Sequence, residues 1–359
     1  MGLKRRLKNA AVARMQQSTR KIHDLRYLFL ELTLDCHLAC LHCGSDCQRD
    51  PNAPHMPKSM VVDTLSRIAE HHDASRITVA ITGGEPLLHP ELFEIGAAIT
   101  KLGFPWGMVT NGYAWTDARI AAAEKAELRT LTVSLDGLRE SHDWFRGRDG
   151  SYDHAVDAIQ RLKTANFLQT FDVVTCVNPR NLGELDELRD VLAGLGVPSW
   201  RIFTISPMGR AAQNPLLQLS PDQFRGLMEW IETARRDGKR PAVRYSEAGY
   251  LGVYERRVRG HRWFCQAGVS VGGIMVDGGI MACPNIDRGF VQGNVREDDF
   301  VEVWEKSFKP FRDRAWMREG DCADCPEWGL CQGNAFHLWE SGGRGPKICH
   351  VKRFGLGPD

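Results

Sequence analysis

From residue 27 to about 215, short apolar runs alternate with longer amphipathic stretches, and this alternation constrains the fold more than any other feature. Apolar strands are expected at 27–34, 76–82, 106–110, 130–135, 170–177 and 199–206. Helices are expected between them at about 58–72, 90–102, 115–126, 151–165 and 182–194. Strand and helix in this rhythm build βαβ units on a parallel sheet. Six strands are too few to close an eight-stranded barrel. The expectation is therefore an α/β chain built on an open, partial (β/α)6 TIM-like barrel, with its chemistry at the carboxyl ends of the strands. A helix at about 220–236 follows, and the polar stretch around Gly238 and Pro241 reads as a linker. The expected division is a basic helix over 1–26, the barrel over 27–240, and a small C-terminal domain over 241–359.

Bulk properties exclude several classes. A chain of 359 residues with 43% hydrophobic and 25% charged residues has an ordinary globular composition. Its net charge of +1 supplies no global field for nucleic acid. No run reaches the ~18 apolar residues of a membrane span, and the N-terminus lacks the apolar core of a signal peptide. Eleven cysteines in such a chain read as metal ligands in a reducing cytoplasm, not as a disulfide framework. Four lie between 36 and 47, one at 176 and six from 265 onward, so two metal-binding regions are expected. The first 26 residues carry eight Lys or Arg against Asp24, and Leu3, Leu7, Ala11 and Met15 recur every fourth residue. A basic amphipathic helix of this kind can lie on anionic lipid or dock on an acidic partner. Its thin apolar face equally suits a solvated helix packed under the barrel.

The chemistry-bearing residues fall where the strands should end. After the first strand come Cys36, Cys40 and Cys43 in a CxxxCxxC spacing. Thiolates so close on a loop can converge on zinc, Cu(I) or an iron–sulfur cluster. A structural zinc site closes with four protein ligands, whereas three cysteines on a [4Fe–4S] cluster leave one iron free for another ligand. Spacing alone also admits inert buried thiols or a zinc knuckle. After the second strand stand Gly83, Gly84, Glu85 and Pro86, where paired glycines let the backbone approach a ligand closely. Asn111 follows the third strand, and the fourth ends in Ser134 and Asp136, groups that suit a ribose diol or an amino-acid head group. Arg146 suits a bidentate grip on a carboxylate, while Cys176 reads as a small buried filler.

The CxxxCxxC motif followed one strand later by GGEP resembles the signature of radical S-adenosylmethionine (radical SAM) enzymes. The resemblance implies that Cys36, Cys40 and Cys43 hold a [4Fe–4S] cluster whose fourth iron chelates the cofactor's amino and carboxylate groups. His42 occupies a position usually aromatic in the family. Gly83, Gly84, Glu85 and Pro86 would receive the cofactor's amino group, with Glu85 contributing its carboxylate. Asn111, Ser134, Asp136 and Arg146 become cofactor contacts, Val177 would pack its backbone against adenine, and Met208 would flank the ring.

Toward the C-terminus, Cys265 and Cys283 flank two apolar runs joined by Asp277-Gly278, a hairpin signal. Cys322, Cys325, Cys331 and Cys349 follow. Over roughly 260–350 this resembles the SPASM domain of radical SAM enzymes. By resemblance the last four thiols hold an outer auxiliary [4Fe–4S] cluster, and Cys265 with Cys283 belong to an inner one. Ala335 stands where a further inner ligand is usual, so the inner cluster is either absent or completed by His337, Asn334 or Cys47. A shorter, Twitch-like arrangement would instead group Cys265, Cys283, Cys322 and Cys325. A zinc ribbon is the non-redox reading of the same spacing.

The resemblance implies reductive cleavage of S-adenosylmethionine to a 5′-deoxyadenosyl radical, which takes hydrogen from a substrate C–H bond. Oxidative modification of a peptide or protein is the first expectation. A dehydrogenase or rearrangement enzyme on a small molecule or cofactor precursor is the second, and a non-enzymatic iron–sulfur scaffold the third. Pro284 after Cys283, where sulfatase-maturing members carry Asp, disfavours that branch. With 26 residues before the first strand, a leader-binding protein is expected to be separate. A flavodoxin or ferredoxin is the expected reductant.

Overall fold

The computed structural model describes residues 3–247 and 249–357, with side chains described from residue 10 onward. Its strands are β1 (Tyr27–Thr33), β2 (Thr78–Gly83), β3 (Trp106–Thr110), β4 (Thr130–Ser134), β5 (Thr170–Val177), β6 (Ser199–Thr204), β7 (Ala242–Tyr245), β8 (Val271–Ile274), β9 (Gly279–Met281) and β10 (Gly293–Asn294). The helices of the first part are α1 (Leu3–Ile22), α2 (Lys58–His71), α3 (Leu92–Lys101), α4 (Asp117–Lys125), α5 (Arg139–Arg146), α6 (Ser151–Leu162), α7 (Leu185–Gly194) and α8 (Pro221–Arg236). Shorter ones follow: α9 (Glu255–Val258), α10 (Phe300–Lys306), α11 (Lys309–Arg312), α12 (Trp328–Cys331) and α13 (His350–Phe354).

All ten strands share one sheet in the order β10-β9-β8-β1-β2-β3-β4-β5-β6-β7. From β1 to β7 every pairing is parallel, as right-handed βαβ units require. The open α/β barrel expected from the alternation is present. Its strands read as near-continuous apolar runs because a parallel sheet is covered on both faces. Leu28, Leu30 and Leu32 of β1 are fully buried. The intervening Tyr27 feels the charges of Arg201, Asp172 and Cys283. Arg201 pairs with Asp172 at 2.6 Å and donates to Thr132 at 2.5 Å. One set of alternate side chains is thus apolar, and the other carries a polar network spanning β4, β5 and β6.

Three features depart from expectation. The stretch around Gly238 and Pro241 leads straight into β7, which pairs with β6 and supplies a seventh parallel strand. Four residues are too short for hydrophobic periodicity to announce a strand. The hairpin expected between Cys265 and Cys283 forms as β8 and β9, but β8 also pairs in parallel with β1. The C-terminal region therefore continues the barrel's sheet and covers what would be an exposed edge strand.

The third departure concerns α1. Leu3 and Leu7 lie outside the described side chains, while Met15 is 56% exposed and Ala11 is also at the surface. The inward face carries Gln16, only 1% exposed, and the half-buried Arg20. Gln16 accepts a hydrogen bond from Gln332 at 3.1 Å, Arg20 donates to the Gln332 side-chain oxygen, and the Arg20 guanidinium lies over the Phe264 ring. The helix docks on α12 through polar side chains, and of the expected apolar stripe Ala11 and Met15 face outward. No helix among the described residues is long and apolar enough to cross a membrane.

Helix α3 packs on the sheet through Gly96, where an added Cβ would fall within the Trp106 indole. Trp106 is fully buried and donates to the Ala126 carbonyl at 2.8 Å, so it cannot step aside cheaply. Alanine improves helix propensity by about 1 kcal/mol over glycine, but overpacking costs about 1–3 kcal/mol. Gly96→Ala is expected to lower the denaturation midpoint, and an unchanged or raised midpoint in urea titration would contradict this packing.

Candidate active site

The loop after β1 is anchored before it is functional. Asp35 is buried, accepts from the Asp50 amide at 3.1 Å and pairs with Arg49, while the Cys36 amide donates to the Gln48 carbonyl. These contacts close residues 35–50 into a compact loop holding Cys36, Cys40, Cys43 and Cys47. Its middle docks on the end of α5: the Ala39 amide donates to the Arg146 carbonyl at 3.2 Å, and Leu41 to Phe145 at 2.9 Å. Terminal helix carbonyls lack intrahelical partners, and here the cysteine loop supplies two. Gly147 ends the helix in the left-handed region, with φ of 67°, where any Cβ would crowd the Ala39 carbonyl. Helix α5 carries no separate signal in the sequence because its eight residues include only Trp144 and Phe145 as large apolar side chains.

Donors converge on the sulfurs. Asn111 Nδ2 lies 3.6 Å from Cys36 Sγ, Arg146 Nη1 lies 3.6 Å from Cys40 Sγ, and the Cys47 amide lies 3.3 Å from Cys43 Sγ. Burial pushes Cys36 up to about 12, with Glu85 adding to the effect. Cys40 is also raised by burial, against the pull of Arg146. Cys43 is lowered by its hydrogen bond to the Cys47 thiol. A buried thiol of raised pKa is poor as a free nucleophile, but N–H and guanidinium donors stabilise sulfur once it carries negative charge. This donor set fits an anionic iron–sulfur cluster. Among the described residues no three His, Cys, Asp or Glu side chains close round a single metal ion.

His42 supplies the aromatic surface its position calls for by stacking face to face on Phe145, with centroids 4.0 Å apart and planes 4° from parallel. Burial holds its pKa well below the ordinary histidine value, so the ring is neutral, and its Nδ1 has no hydrogen-bond partner.

Several residues expected to contact the cofactor also make contacts within the chain. The two glycines approach protein backbone: an added Cβ on Gly83 would strike the Thr33 carbonyl, and one on Gly84 the Asp35 carbonyl. Gly84 donates to Thr33 at 2.7 Å and Glu85 to Asp35 at 2.8 Å, stitching the end of β2 to the root of the cysteine loop. The Glu85 carboxylate, expected to reach the cofactor's amino group, is fully buried. It accepts from Leu87 N at 3.2 Å, Thr110 Oγ1 at 2.8 Å and Asn111 N at 2.8 Å, bracing β2 against β3. Burial raises its pKa.

Arg146 and Asp136 pair with each other at 2.5 Å, both almost fully buried. Burial would lower the Arg146 pKa, but Asp136 and Cys40 raise it above the ordinary arginine value, so the guanidinium stays charged. The second Asp136 oxygen accepts from Cys176 N at 2.7 Å. Arg146 is therefore matched internally by Asp136. Ser134 and Val177 are buried at the ends of β4 and β5, Pro86 is buried, and Met208 is half-buried just before a tight turn. In that turn Gly209, with φ of 50°, crowds the Cys43 carbonyl. Arg210, missed in the sequence, donates to the carbonyls of Cys40 at 2.7 Å and Cys47 at 2.8 Å. A basic residue in a Gly-containing loop carries no local signal of such a long-range clamp.

The six C-terminal thiols separate into two groups. Burial raises Cys322 to about 11, with Cys349 and Cys325 contributing. Cys331 is raised by burial and by Cys349, Cys322 and Cys325. These four lie within electrostatic reach of one another. Cys283, raised to about 12 by burial, answers to Cys265 instead. The suspected extra ligands are occupied elsewhere. His337 Nε2 meets Ser206 Oγ at 3.2 Å and Glu247 at 3.4 Å, and Asn334 accepts from the Tyr250 amide at 2.8 Å. Cys47 stays beside Cys43. The N-terminal loop nevertheless abuts the hairpin, since Ser45 donates to Asn285 at 3.3 Å, two residues past Cys283.

Because Gly84 meets backbone and not a flexible side chain, Gly84→Ala must displace the Asp35 carbonyl and the root of the loop. It is expected to lower bound iron by up to about four per chain, one cubane, with far-ultraviolet circular dichroism retained. Full iron content in that variant would show that the loop tolerates the shift.

Comparison with known proteins agrees with this geometry. Residues 30–192 match the model of the Radical SAM superfamily, and residues 265–326 match that of the SPASM iron–sulfur cluster-binding domain. The AdoMet-dependent heme synthase of Methanosarcina barkeri is 26% identical over 325 residues, covering 86% of this chain and 90% of the relative. The mycofactocin maturase MftC of Mycolicibacterium smegmatis is 31% identical over 310 residues, covering 84% and 76%. The PqqA peptide cyclase of Rhizobium meliloti is 24% identical over 324 residues, covering 87% and 83%. The structure of native anSMEcpe with bound AdoMet shares the fold with a TM-score of 0.70 at 16% identity, over 92% of this chain and 95% of that one. The chain belongs to the radical SAM superfamily and carries a C-terminal SPASM domain.

Proposed function

We propose that this enzyme is a peptide maturase that works by hydrogen abstraction from its substrate. Cys36, Cys40 and Cys43 would hold the SAM-cleaving cluster, and Cys322, Cys325, Cys331 and Cys349 one auxiliary cluster. When bound, a [4Fe–4S] cluster with S-adenosylmethionine supplies a reductively generated 5′-deoxyadenosyl radical. The chain's own residues do the rest. Asn111 and Arg146 donate toward thiolate charge, Asp136 keeps Arg146 neutralised, and the buried strand ends exclude water from the radical's surroundings.

The observation that carries the reading is the three-cysteine loop after β1, with the Asn111 donor directed at Cys36 and the Arg146 donor at Cys40. The peptide assignment draws on the 31% identity to a maturase and the match to a peptide cyclase. The match to AdoMet-dependent heme synthases, at 26% identity over nine-tenths of the relative, supports a second reading on a small cofactor precursor. A flavodoxin or ferredoxin reductant, a separate leader-binding protein and a cytoplasmic setting fit this reading, because reduced clusters need electron supply and a reducing compartment.

Anaerobic protein given S-adenosylmethionine and dithionite is expected to release 5′-deoxyadenosine. The Cys36→Ala/Cys40→Ala/Cys43→Ala variant should release none above background, and equal release would refute the assignment. Mass spectrometry after incubation with a short peptide encoded beside the gene, or with a porphyrin heme precursor, separates the two substrate readings.

The thiol grouping further predicts two cubanes, or about eight irons per chain. Cys265→Ala and Cys283→Ala should leave that number nearly unchanged. Loss of about four irons from either variant would favour the arrangement that shares Cys322 and Cys325 with the hairpin.

A further inference from the structure

A cleft of about 1070 Å³ opens between α1 and the segment 305–315, with Trp328 and Gln332 at its end. From α1 it takes Arg14, Arg20 and Lys21; from the facing wall, Lys306, Lys309, Arg312 and Arg314. Only Glu305 and Asp313 among its lining residues are acidic, and both are engaged. Glu305 pairs with His23 at 2.8 Å, and Asp313 accepts from the Ala315 amide at 3.1 Å. Arg312 and the buried Arg314 bond backbone carbonyls, and Arg20 is half-buried against Gln332 and the Phe264 ring. Among the described residues Arg14, Lys21 and Lys309 have no carboxylate partner. Lys306 has only Glu302, at 3.4 Å between two exposed side chains, a pairing of little strength. A chain of net charge +1 thus presents four exposed cations, Arg14, Lys21, Lys306 and Lys309, round one concavity, with Arg20, Arg312 and Arg314 behind them.

We propose that this cleft docks an acidic one-electron carrier protein, of the flavodoxin or ferredoxin kind, beside the auxiliary cluster. This rests on the proposal that Cys322, Cys325, Cys331 and Cys349 hold that cluster. The position argues for a redox partner. Trp328 and Cys331 are the two ends of α12, Gln332 follows directly, and Gln332 is held by Gln16 and Arg20 of α1. The cationic wall is therefore bolted to the segment that presents one of the four thiols. The charges are spread over both walls, which suits an extended acidic surface more than a single small anion. Concave like-charged surfaces focus the field and speed encounter with an opposite partner. A reduced cluster held by Cys322, Cys325, Cys331 and Cys349 would lose one electron and the docked carrier would gain it, with no bond made or broken.

The test mixes dithionite-reduced, iron-replete enzyme anaerobically with excess oxidised flavodoxin and follows semiquinone formation by stopped flow. The second-order rate constant is expected to fall as salt rises. At low salt, Lys306→Glu/Lys309→Glu should lower it by about tenfold or more, within the range attributed to electrostatic steering. Both lysines are exposed, so folding is not at stake, and bound iron checks it. Lys101→Glu/Lys125→Glu, on α3 and α4, makes the same charge change elsewhere on the surface and should leave the rate within about twofold. An undiminished rate in the cleft variant, or an equal loss in the control, overturns the proposal. So does a retained rate with lost binding of a polyglutamate peptide, which would make the cleft an acidic-peptide site. Failure of the four-thiol reading shows separately, as too few irons in the parent protein before mixing.

Discussion

The site depends on keeping Arg146 charged inside the protein. Desolvation opposes this, and a buried guanidinium without partners would cost several kcal/mol. Asp136 supplies the compensating charge, and the Cys40 sulfur lies 3.6 Å from the guanidinium. Each partner comes from a different part of the fold, so the charge cannot be satisfied unless all three are in place. Asp136 requires β4 to end beside β5, where the Cys176 amide takes its other oxygen. Cys40 requires the loop after β1 to sit on the last turn of α5, where the Ala39 and Leu41 amides meet helix carbonyls. Strand order, helix end and cysteine loop are thus coupled through one cation.

This coupling explains which parts of the site were legible beforehand. The six main strands were readable because each is a run of five to eight residues rich in apolar and β-branched side chains. The cysteine spacing and the positions of GGEP, Ser134 and Asp136 just past strand ends followed from those strands. Their roles were less readable. Gly83 and Gly84 were expected to make room for a ligand, yet the atoms they accommodate are the carbonyls of Thr33 and Asp35. Glu85 was expected to face a cofactor, and its oxygens go to Thr110, Leu87 and Asn111. A motif records that a small or acidic residue is needed at a place. It does not record which neighbour, distant in sequence, creates the need. Likewise β7 and the joining of β8 to β1 are pairings between short segments, decided by edge complementarity and not by local pattern.

Joining the hairpin to β1 places the two thiol regions on one framework. Strand β1 ends in the cysteine loop, and β8 beside it leads into the hairpin between Cys265 and Cys283. The Ser45–Asn285 contact fixes their spacing directly. On the far side, Ser206 beyond β6, Glu247 beyond β7 and His337 of the C-terminal region form a hydrogen-bonded group. Contacts on both flanks resist hinge motion between the barrel and the C-terminal region.

The hairpin thiols raise a question that charge resolves. Arg314 is buried close to Cys265, and an arginine beside two cysteines would suit an anionic cluster. Its donors, however, are already taken by carbonyls: Phe311 at 3.3 Å, Gln332 at 3.4 Å, Asn334 at 3.1 Å and Cys265 at 3.1 Å. The guanidinium also lies over the Phe336 ring, 4.8 Å from its centroid. Peptide dipoles and an aromatic face solvate the charge without any thiolate. Ala335, where a further ligand would stand, is fully buried beside Phe336 in the main hydrophobic core. Asn334 next to it is tied to the Tyr250 amide. The segment around 332–336 is therefore held by Arg314, Tyr250 and core packing.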